Sequence, residues 1–270
     1  MAYPPRLDNN SPEVYREVIR PGEDPSLIIH FDLHPLNVFM DDPFLTDDDG
    51  QEHGPAPRWK LGDFGLMQEW DNGWQDAEKF AVANVGKPGY QAPEQRDRRR
   101  PLEEGAFGPH TNIWGIGLLM FNALTLYHTD DEDWQPRICH IAMPDGTYKD
   151  LNTWAPFLVG DEVYGEFTYY SADLRTLIAR CMADDREDRP TLNELLTTVQ
   201  ASIARDDAIA FETERIFQIE RAADPTRQRP PVDVTRPPKV EDNALLRRFF
   251  QEYIREPPAR DDPYGGLWDQ

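Results

Sequence analysis

Apolar residues in the first quarter of the chain come in short clusters separated by polar turns: Leu27-Ile28-Ile29, then LNVFM at 36–40, then RWKLGDF at 58–64. Clusters of this length, bounded by Pro, Asp and Gly, predict short strands and loops with a β-hairpin among them. The connection from Asp41 to Pro57 is long for a hairpin, where about two to five residues are usual, and it carries Asp41, Asp42, Asp47, Asp48, Asp49 and Glu52. It predicts an inserted, solvated surface loop. A calcium loop fits poorly, because an EF-hand register turning at Gly50 puts Leu45 in the first ligand position and Ala56 in the last.

The period changes after residue 110, where helices are expected to dominate. Positions 112–126 are apolar almost all round, through Ile113, Trp114, Ile116, Leu118, Leu119, Met120, Phe121 and Leu124. This predicts a central helix over Asn112–Leu126, buried on every face. A half-buried helix is expected over Asp173–Ala183, with Leu174, Leu177, Ile178 and Cys181 on its apolar face, and another from Thr191 with Leu192, Leu195, Leu196 and Val199. A further helix is expected around Ile209–Arg221. The Pro-rich linker Pro225–Pro238 then leads to a helix over Asn243–Arg255. The stripe Leu245, Leu246, Phe249, Phe250, Tyr253 and Ile254 on that last helix suits packing on its own domain or docking on a partner. Residues 1–26 are polar and Pro-rich, with room for at most two helical turns at Glu13–Ile19.

Composition narrows the function classes. With 270 residues the chain is long enough for one large core without staples. Lys plus Arg number 28 against 50 Asp plus Glu, and the net charge of −22 repels nucleic-acid phosphates and anionic lipid. No apolar run is long enough for a membrane span. The N-terminus lacks a signal-peptide pattern, and the two cysteines, Cys139 and Cys181, make no disulfide framework. An intracellular setting, cytoplasmic or nuclear, is expected. Cys181, on an apolar helical face, reads as core rather than as a nucleophile.

Four separated motifs follow in one order. HFDLHPLN spans His30–Asn37, Asp63-Phe64-Gly65 follows, GKPGYQAPE ends in Ala92-Pro93-Glu94, and CMADDREDRPT contains Arg189. Together with TNIWGIG at 111–117 they resemble the protein kinase family, through the H-R-D-L-x-x-x-N, D-F-G and A-P-E signatures. The resemblance covers residues 27 to 200. It implies a mainly α fold of the α+β family: a kinase-like C-terminal lobe with a short β-hairpin carrying the catalytic loop and DFG motif, followed by a helical extension. The divisions implied are an N-terminal segment at 1–26, a remnant of the helix before the catalytic loop, a C-lobe at 27–204, and the extension with its Pro-rich linker at 205–270.

Phosphoryl transfer is mostly positioning and charge neutralisation, so its site needs a carboxylate to orient the hydroxyl and hard oxygen ligands for magnesium. By resemblance, Asp32 takes the first role, Asn37 and Asp63 hold the metal ions, and Phe39 and Gly65 join them at the cofactor, ATP with Mg2+. Glu94 and Arg189 brace the substrate side as an ion pair. The resemblance also implies a protein substrate or protein partner, and a Ser/Thr-type transferase.

This sequence departs from the pattern in three places. Before His30 it has Gly22 as its sole glycine and no lysine, so neither the Gly-rich loop nor the strand lysine is present there. A truncated domain, inactive as an isolated chain, is expected. Phe31 replaces the catalytic-loop arginine that grips an activation-segment phosphate in many relatives, and 66–89 contains no Ser, Thr or Tyr. No phosphate switch is expected there. His34 stands where Ser/Thr kinases carry lysine, and Lys87 where they carry threonine; Lys87 is expected to return the lost positive charge to the catalytic centre. Two other readings stay open: a pseudokinase-like scaffold that recruits a partner through His30, Phe39 and Phe64, and a small-molecule phosphotransferase, which shares the HxDLHPxN wording. The Arg96–Arg100 run RDRRR is expected to be solvated surface.

Overall fold

A computed structural model describes residues 26–40, 59–96, 105–127, 134–143, 145–159 and 165–228. The expected turns at Glu13–Ile19, the acidic loop at 41–57, the linker beyond residue 228 and the helix at 243–255 lie outside those residues. The chain divides into two compact units, one comprising 1–38, 61–204 and 235–237, the other 39–60, 205–234 and 238–270.

Strand β1, Ile28–Ile29, pairs antiparallel with β4, Gln68–Glu69, placing Ile28 opposite Glu69 and Ile29 opposite Gln68. Strand β2, Val38–Met40, pairs with β3, Trp59–Leu61. Residues 30–37 therefore connect β1 to β2, and 62–67 connect β3 to β4. Helix α1, Asp76–Ala83, follows; the sequence reading had no helix here. Its start is fixed by reciprocal capping, with the Gln75 N–H donating to Glu78 Oε2 at 2.9 Å. Helix α2, Pro93–Arg96, is a single turn.

Helix α3, Pro109–Thr125, is the expected central helix, starting three residues earlier than the apolar pattern because Pro109 suits a first helical turn. Its expected burial on every face is corrected: Met120 and Ala123, three residues apart on one side of the helix, are exposed. It ends at Leu126, whose left-handed φ of 53° stops the helix without a glycine. Helices dominate from here as expected, but β5, Arg137–Ala142, and β6, Tyr148–Thr153, form an antiparallel pair that the sequence reading did not include, in register from Arg137↔Thr153 to Ala142↔Tyr148. Its period-2 pattern is plain in retrospect: Ile141, Leu151 and Thr153 are buried on one face, while Ile138 and Tyr148 are exposed on the other. Helix α4, Ala172–Cys181, is capped by the Ser171 hydroxyl, which accepts from the Leu174 N–H at 3.2 Å. The two helices expected after residue 191 are one, α5, Leu192–Ala223, since nothing between Ala204 and Ile209 breaks it.

Two apolar clusters hold the first unit together. The larger joins Trp114, Leu118 and Phe121 of α3 to Ile141 and Leu151 of the β5–β6 pair and to Ile178 and Met182 at α4. Close approach is possible because Gly115 and Gly117 face inward: a Cβ on Gly115 would lie 2.6 Å from Leu33 Cδ1, and one on Gly117 2.5 Å from Cys181 Cβ. The smaller cluster gathers Ile29, Phe31, Trp70, Ala83, Ala106 and Phe107. Among the described residues, no helix is long and apolar enough to cross a membrane.

Candidate active site

The loop from His30 to Asn37 is built around its own polar side chains. The His30 backbone N–H donates to Asn112 Oδ1 at 3.0 Å, and Asn112 Nδ2 donates to Ile28 O at 2.9 Å, so one amide on α3 clamps the end of β1. His30 is only 5% exposed. Its Nε2–H donates to Gly62 O at 3.2 Å, while Nδ1 accepts the Asp32 N–H at 3.3 Å. One neutral imidazole thereby ties the backbone of Asp32 to the residue preceding Asp63. Burial pushes the His30 pKa down, against the raising influence of the Gly62 carbonyl and of the carboxylates of Asp32 and Asp63. Phe31 between them adopts a left-handed φ of 59°, and Gly86 presses on its carbonyl so closely that a Cβ there would be 2.0 Å from Phe31 O.

Asp32 receives hydrogen bonds from three directions. Asn37 Nδ2 donates to its carbonyl at 3.0 Å and to Oδ2 at 3.1 Å, and the Lys87 N–H donates to Oδ1 at 3.1 Å. His34 Nε2 stands 3.5 Å from Oδ2, and because His34 Nδ1 accepts the Leu36 N–H at 3.2 Å, the neutral ring carries its proton on the side facing Asp32. Lys87 Nζ lies over the Tyr90 ring at 5.0 Å, and the same ring meets His34 at 5.5 Å. Asp32, Asn37 and the Lys87 N–H thus form one hydrogen-bonded group, with the His34 ring beside the Asp32 carboxylate.

Asp63 is exposed and has a left-handed φ of 55°; its Oδ1 accepts the Gly65 N–H at 3.3 Å, a local turn that presents the carboxylate outward. Phe64 sets its ring, tilted by 58°, 5.5 Å from His30 yet is 53% exposed. Phe39 is 55% exposed and belongs to the second unit. Of the three apolar groups expected to face a partner, Phe39 and Phe64 are exposed, whereas His30 is buried because both its ring nitrogens bind backbone.

Asn37 spends both amide hydrogens on Asp32, which leaves Oδ1 without a hydrogen-bond partner among the described residues. An amide oxygen and the carboxylate of Asp63 are hard donors, few in number, of the kind that hold magnesium when phosphates and water complete its shell. The donor set fits that ion. No group of three or more His, Cys, Asp or Glu suited to a metal occurs among the described residues.

Behind this group, Arg189 Nη1 and Nη2 donate to Glu94 Oε1 and Oε2 at 2.8 and 2.7 Å. Thr111 Oγ1 adds a third bond to Glu94 at 3.0 Å, and Arg189 Nε donates to Ala183 O at 3.0 Å. Sequence spacing could not anticipate the part played by Asn112, nor that Arg96 is half-buried against Trp154, with its charge 4.8 Å from that ring. The expected solvation of the 96–100 run fails at Arg96 because α2 turns its side chain inward; Asp97–Arg100 lie outside the described residues. Cys181 is core as expected, its thiol pushed up to about 12 by burial.

This unit is helix-rich with short strands, its loop carboxylate Asp32 is held by the Asn37 amide, and the carboxylate–guanidinium pair Glu94–Arg189 is buried in it. The protein kinase domain model matches residues 25–199, and the chain belongs to the protein kinase family. It is 26% identical over 216 residues to G2-specific protein kinase fin1 of Schizosaccharomyces pombe, covering 78% of this chain and 23% of that protein. It is 28% identical over 170 residues to serine/threonine-protein kinase Nek9 of Mus musculus, 63% of this chain and 13% of Nek9. Against serine/threonine-protein kinase Nek2 of Homo sapiens it is 25% identical over 185 residues, 67% of this chain and 32% of Nek2. The chain thus spans less than a third of the length of these relatives.

Proposed function

We propose that the chain carries the catalytic floor of a Ser/Thr-type protein kinase: Asp32 orients the acceptor hydroxyl of a protein substrate, and Asn37 and Asp63 hold Mg2+ against the phosphates of ATP. Magnesium supplies neutralisation of the charge that spreads over the transferred phosphoryl. The protein's own work is positional. Asn37 and the Lys87 N–H fix the Asp32 carboxylate, and His30 sets its spacing from Asp63. Gly65 admits the turn that aims Asp63. Lys87, in place of the lysine that His34 replaces, supplies the cation near the phosphoryl. The observation that carries the reading is the convergence of Asn37 Nδ2 and the Lys87 N–H on the one carboxylate of Asp32, whose backbone N–H is held by His30 Nδ1. The unit 27–204 is read as the C-lobe, acting in an intracellular, cytoplasmic or nuclear setting.

The 270 residues contain no lysine before His30, so transfer by these residues alone is expected to be slow. Losing one preorganised charge-stabilising group costs about 10²–10³ in rate. The test is phosphate transfer from labelled ATP to protein by the natural polypeptide that contains these residues. Asp32→Asn and Asp63→Asn should each reduce it by about 10² or more, with label on serine or threonine. Lys87→Met should reduce it more than His34→Ala. Undiminished transfer in both Asp variants rejects the reading.

A second reading, a pseudokinase-like scaffold, is favoured by the exposed Leu36 (74%) and Phe64 beside the floor, since an exposed apolar group of this sort suits a protein partner. A thermal midpoint left unmoved by added Mg2+ and ATP, together with no transfer, would favour it. The small-molecule phosphotransferase reading has the weaker support, because the buried Glu94–Arg189 pair props a substrate-side segment suited to peptides.

A further inference from the structure

Arg96 closes α2, and its guanidinium lies inside a box of indoles. Its carbon is 4.8 Å from the centre of the Trp154 ring, 5.7 Å from Trp134 and 5.8 Å from Trp114. The box is fixed from within: Trp134 and Trp154 meet edge to face at 5.0 Å, and Trp114 and Trp154 at 6.0 Å. Trp134 Nε1 donates to Trp154 O at 2.9 Å, and Trp154 Nε1 to Asp184 Oδ1 at 3.0 Å. Arg96 Nε is buried without a hydrogen-bond partner. A methionine or leucine would fill such a box without leaving a polar atom unpaired.

What the guanidinium does that hydrocarbon cannot is reach out of the box. Arg96 Nη2 donates to Gly89 O at 3.3 Å. Gly89 is the middle of the tight turn Pro88–Tyr90, and Lys87, which opens that turn, gives its N–H to Asp32 Oδ1 at 3.1 Å. Three indoles, Arg96, the Gly89 carbonyl, the Lys87 N–H and the Asp32 carboxylate are thus contiguous.

We propose that Arg96 is a positioning residue, one that pins the Pro88–Tyr90 turn to the indole box and so sets the orientation of the Asp32 carboxylate and the wall offered to a protein substrate. Its consequence for catalysis rests on the phosphoryl-transfer reading; its effect on the turn does not.

The test is hydrogen exchange in this chain with Arg96→Met and Arg96→Lys. The Tyr90 and Gln91 N–H groups, which donate to Lys87 O at 2.9 Å and Pro88 O at 3.4 Å, report the turn. In the methionine variant they should exchange about tenfold faster or more, while amides of α3 and α4 keep their rates. Lysine, which keeps a cation in the box and a donor for Gly89 O, should fall between methionine and wild type. Unchanged exchange at 90 and 91, equal acceleration across α3 and α4, or a lysine variant as fast as methionine would each overturn the assignment. In the natural polypeptide, Arg96→Met should raise KM for the protein substrate several-fold with KM for ATP unchanged, and an unmoved substrate KM would remove the catalytic consequence. Full transfer by Asp32→Asn would instead sink the phosphoryl-transfer reading while the exchange result still judged Arg96.

Discussion

Arg189 grips Glu94 through both ends of its guanidinium, and the two side chains, 95 residues apart in sequence, are 0% and 1% exposed. A charge pair this deep is costly to desolvate, so removing one member is worse than removing both. Arg189→Met strands the Glu94 carboxylate with the Thr111 hydroxyl and should cost about 3–5 kcal/mol in urea unfolding. Adding Glu94→Gln should recover part of that loss. A double variant as unstable as the sum of the single variants would show the pair is not the unit.

Acid should act on this unit in two steps. Burial lowers the His30 pKa, so below about 6.5 the unfolded chain takes up a proton that the native ring cannot. Stability is complete above that value and falls as pH drops through it. His110 adds in the same direction, its burial outweighing its bond to Ala106 O. Glu94 follows. Burial alone would raise its carboxyl, but Arg189 overrules this and holds it below the ordinary carboxylate value. Its contribution is present above about 4.5 and disappears as pH falls toward the lower native value. Unfolding free energy measured from pH 8 to 3 should decline in both windows, and Glu94→Gln should shrink the lower decline and leave the upper one, while Asp145, Glu212 and Asp224, also lowered by their hydrogen bonds, keep part of the lower decline.

The Asp32–Asn37 contact was legible because the two are five residues apart within one motif, and only a tight loop can bring an amide back to that carboxylate, whereas Lys87, 55 residues from Asp32, entered only through family resemblance. The Glu94–Arg189 pair was legible only through family resemblance. Asn112 was not legible as a clamp, because a polar residue at the start of an apolar helix reads as its solvated end. The β5–β6 pair was missed for a related reason: Cys139, Ile141, Leu151 and Thr153 alternate with residues as apolar as Ile138, which blurs the period. Arg96 was misjudged because charge runs are usually solvated, and only the three-dimensional placement of three distant tryptophans reverses that expectation.

The Asn112 clamp gives a substitution with a chemical signature. Its side chain must donate to Ile28 O and accept from the His30 N–H together, which an amide does and a carboxylate does not. Asn112→Asp keeps the shape but sets a carboxylate oxygen against a carbonyl, and should cost about 1–3 kcal/mol at neutral pH. Lowering the pH toward 4 should narrow its deficit relative to wild type, because protonation returns a donor. A deficit independent of pH would show that the lost bond to Ile28 O is not the cause.

Gly117 tests the packing of α3 on α4. An alanine gains about 0.5–1 kcal/mol of helix propensity, but its Cβ would lie 2.5 Å from Cys181 Cβ and 3.0 Å from Met182 Cγ. Cβ is not a flexible tip, so the helices must part. Overpacking of this kind costs about 1–3 kcal/mol. The net loss should shift the thermal midpoint by a few degrees, and Cys181→Gly in the same chain should restore part of it. A stabilised Gly117→Ala would mean that α3 and α4 yield more easily than their packing suggests.

Phe31 bears on regulation. Where many kinases place an arginine to grip a phosphate, this ring is buried, edge-on to Phe107 at 5.7 Å, and Phe107 in turn lies 4.4 Å from Trp70. Ala83 at the end of α1 completes the cluster, with Val82 and Val85 packed against it, so the segment leading to Lys87 is anchored by apolar burial. No hydroxyl between residues 66 and 89 is available to carry a phosphate. Apolar anchoring is present from the moment of folding, whereas a phosphate anchor comes and goes. Phosphatase treatment of the natural polypeptide should therefore leave its transfer activity unchanged, and a large loss would contradict this account. Phe31→Ala should remove the anchor, costing about 3–5 kcal/mol and speeding tryptic cleavage after Lys79 in α1. Phe31→Leu, which keeps most of the buried area, should cost much less. If alanine and leucine were equally harmless, the segment would have to be held by its hydrogen bonds to Asp32 and Gln95 instead, and the ring at position 31 would be filler.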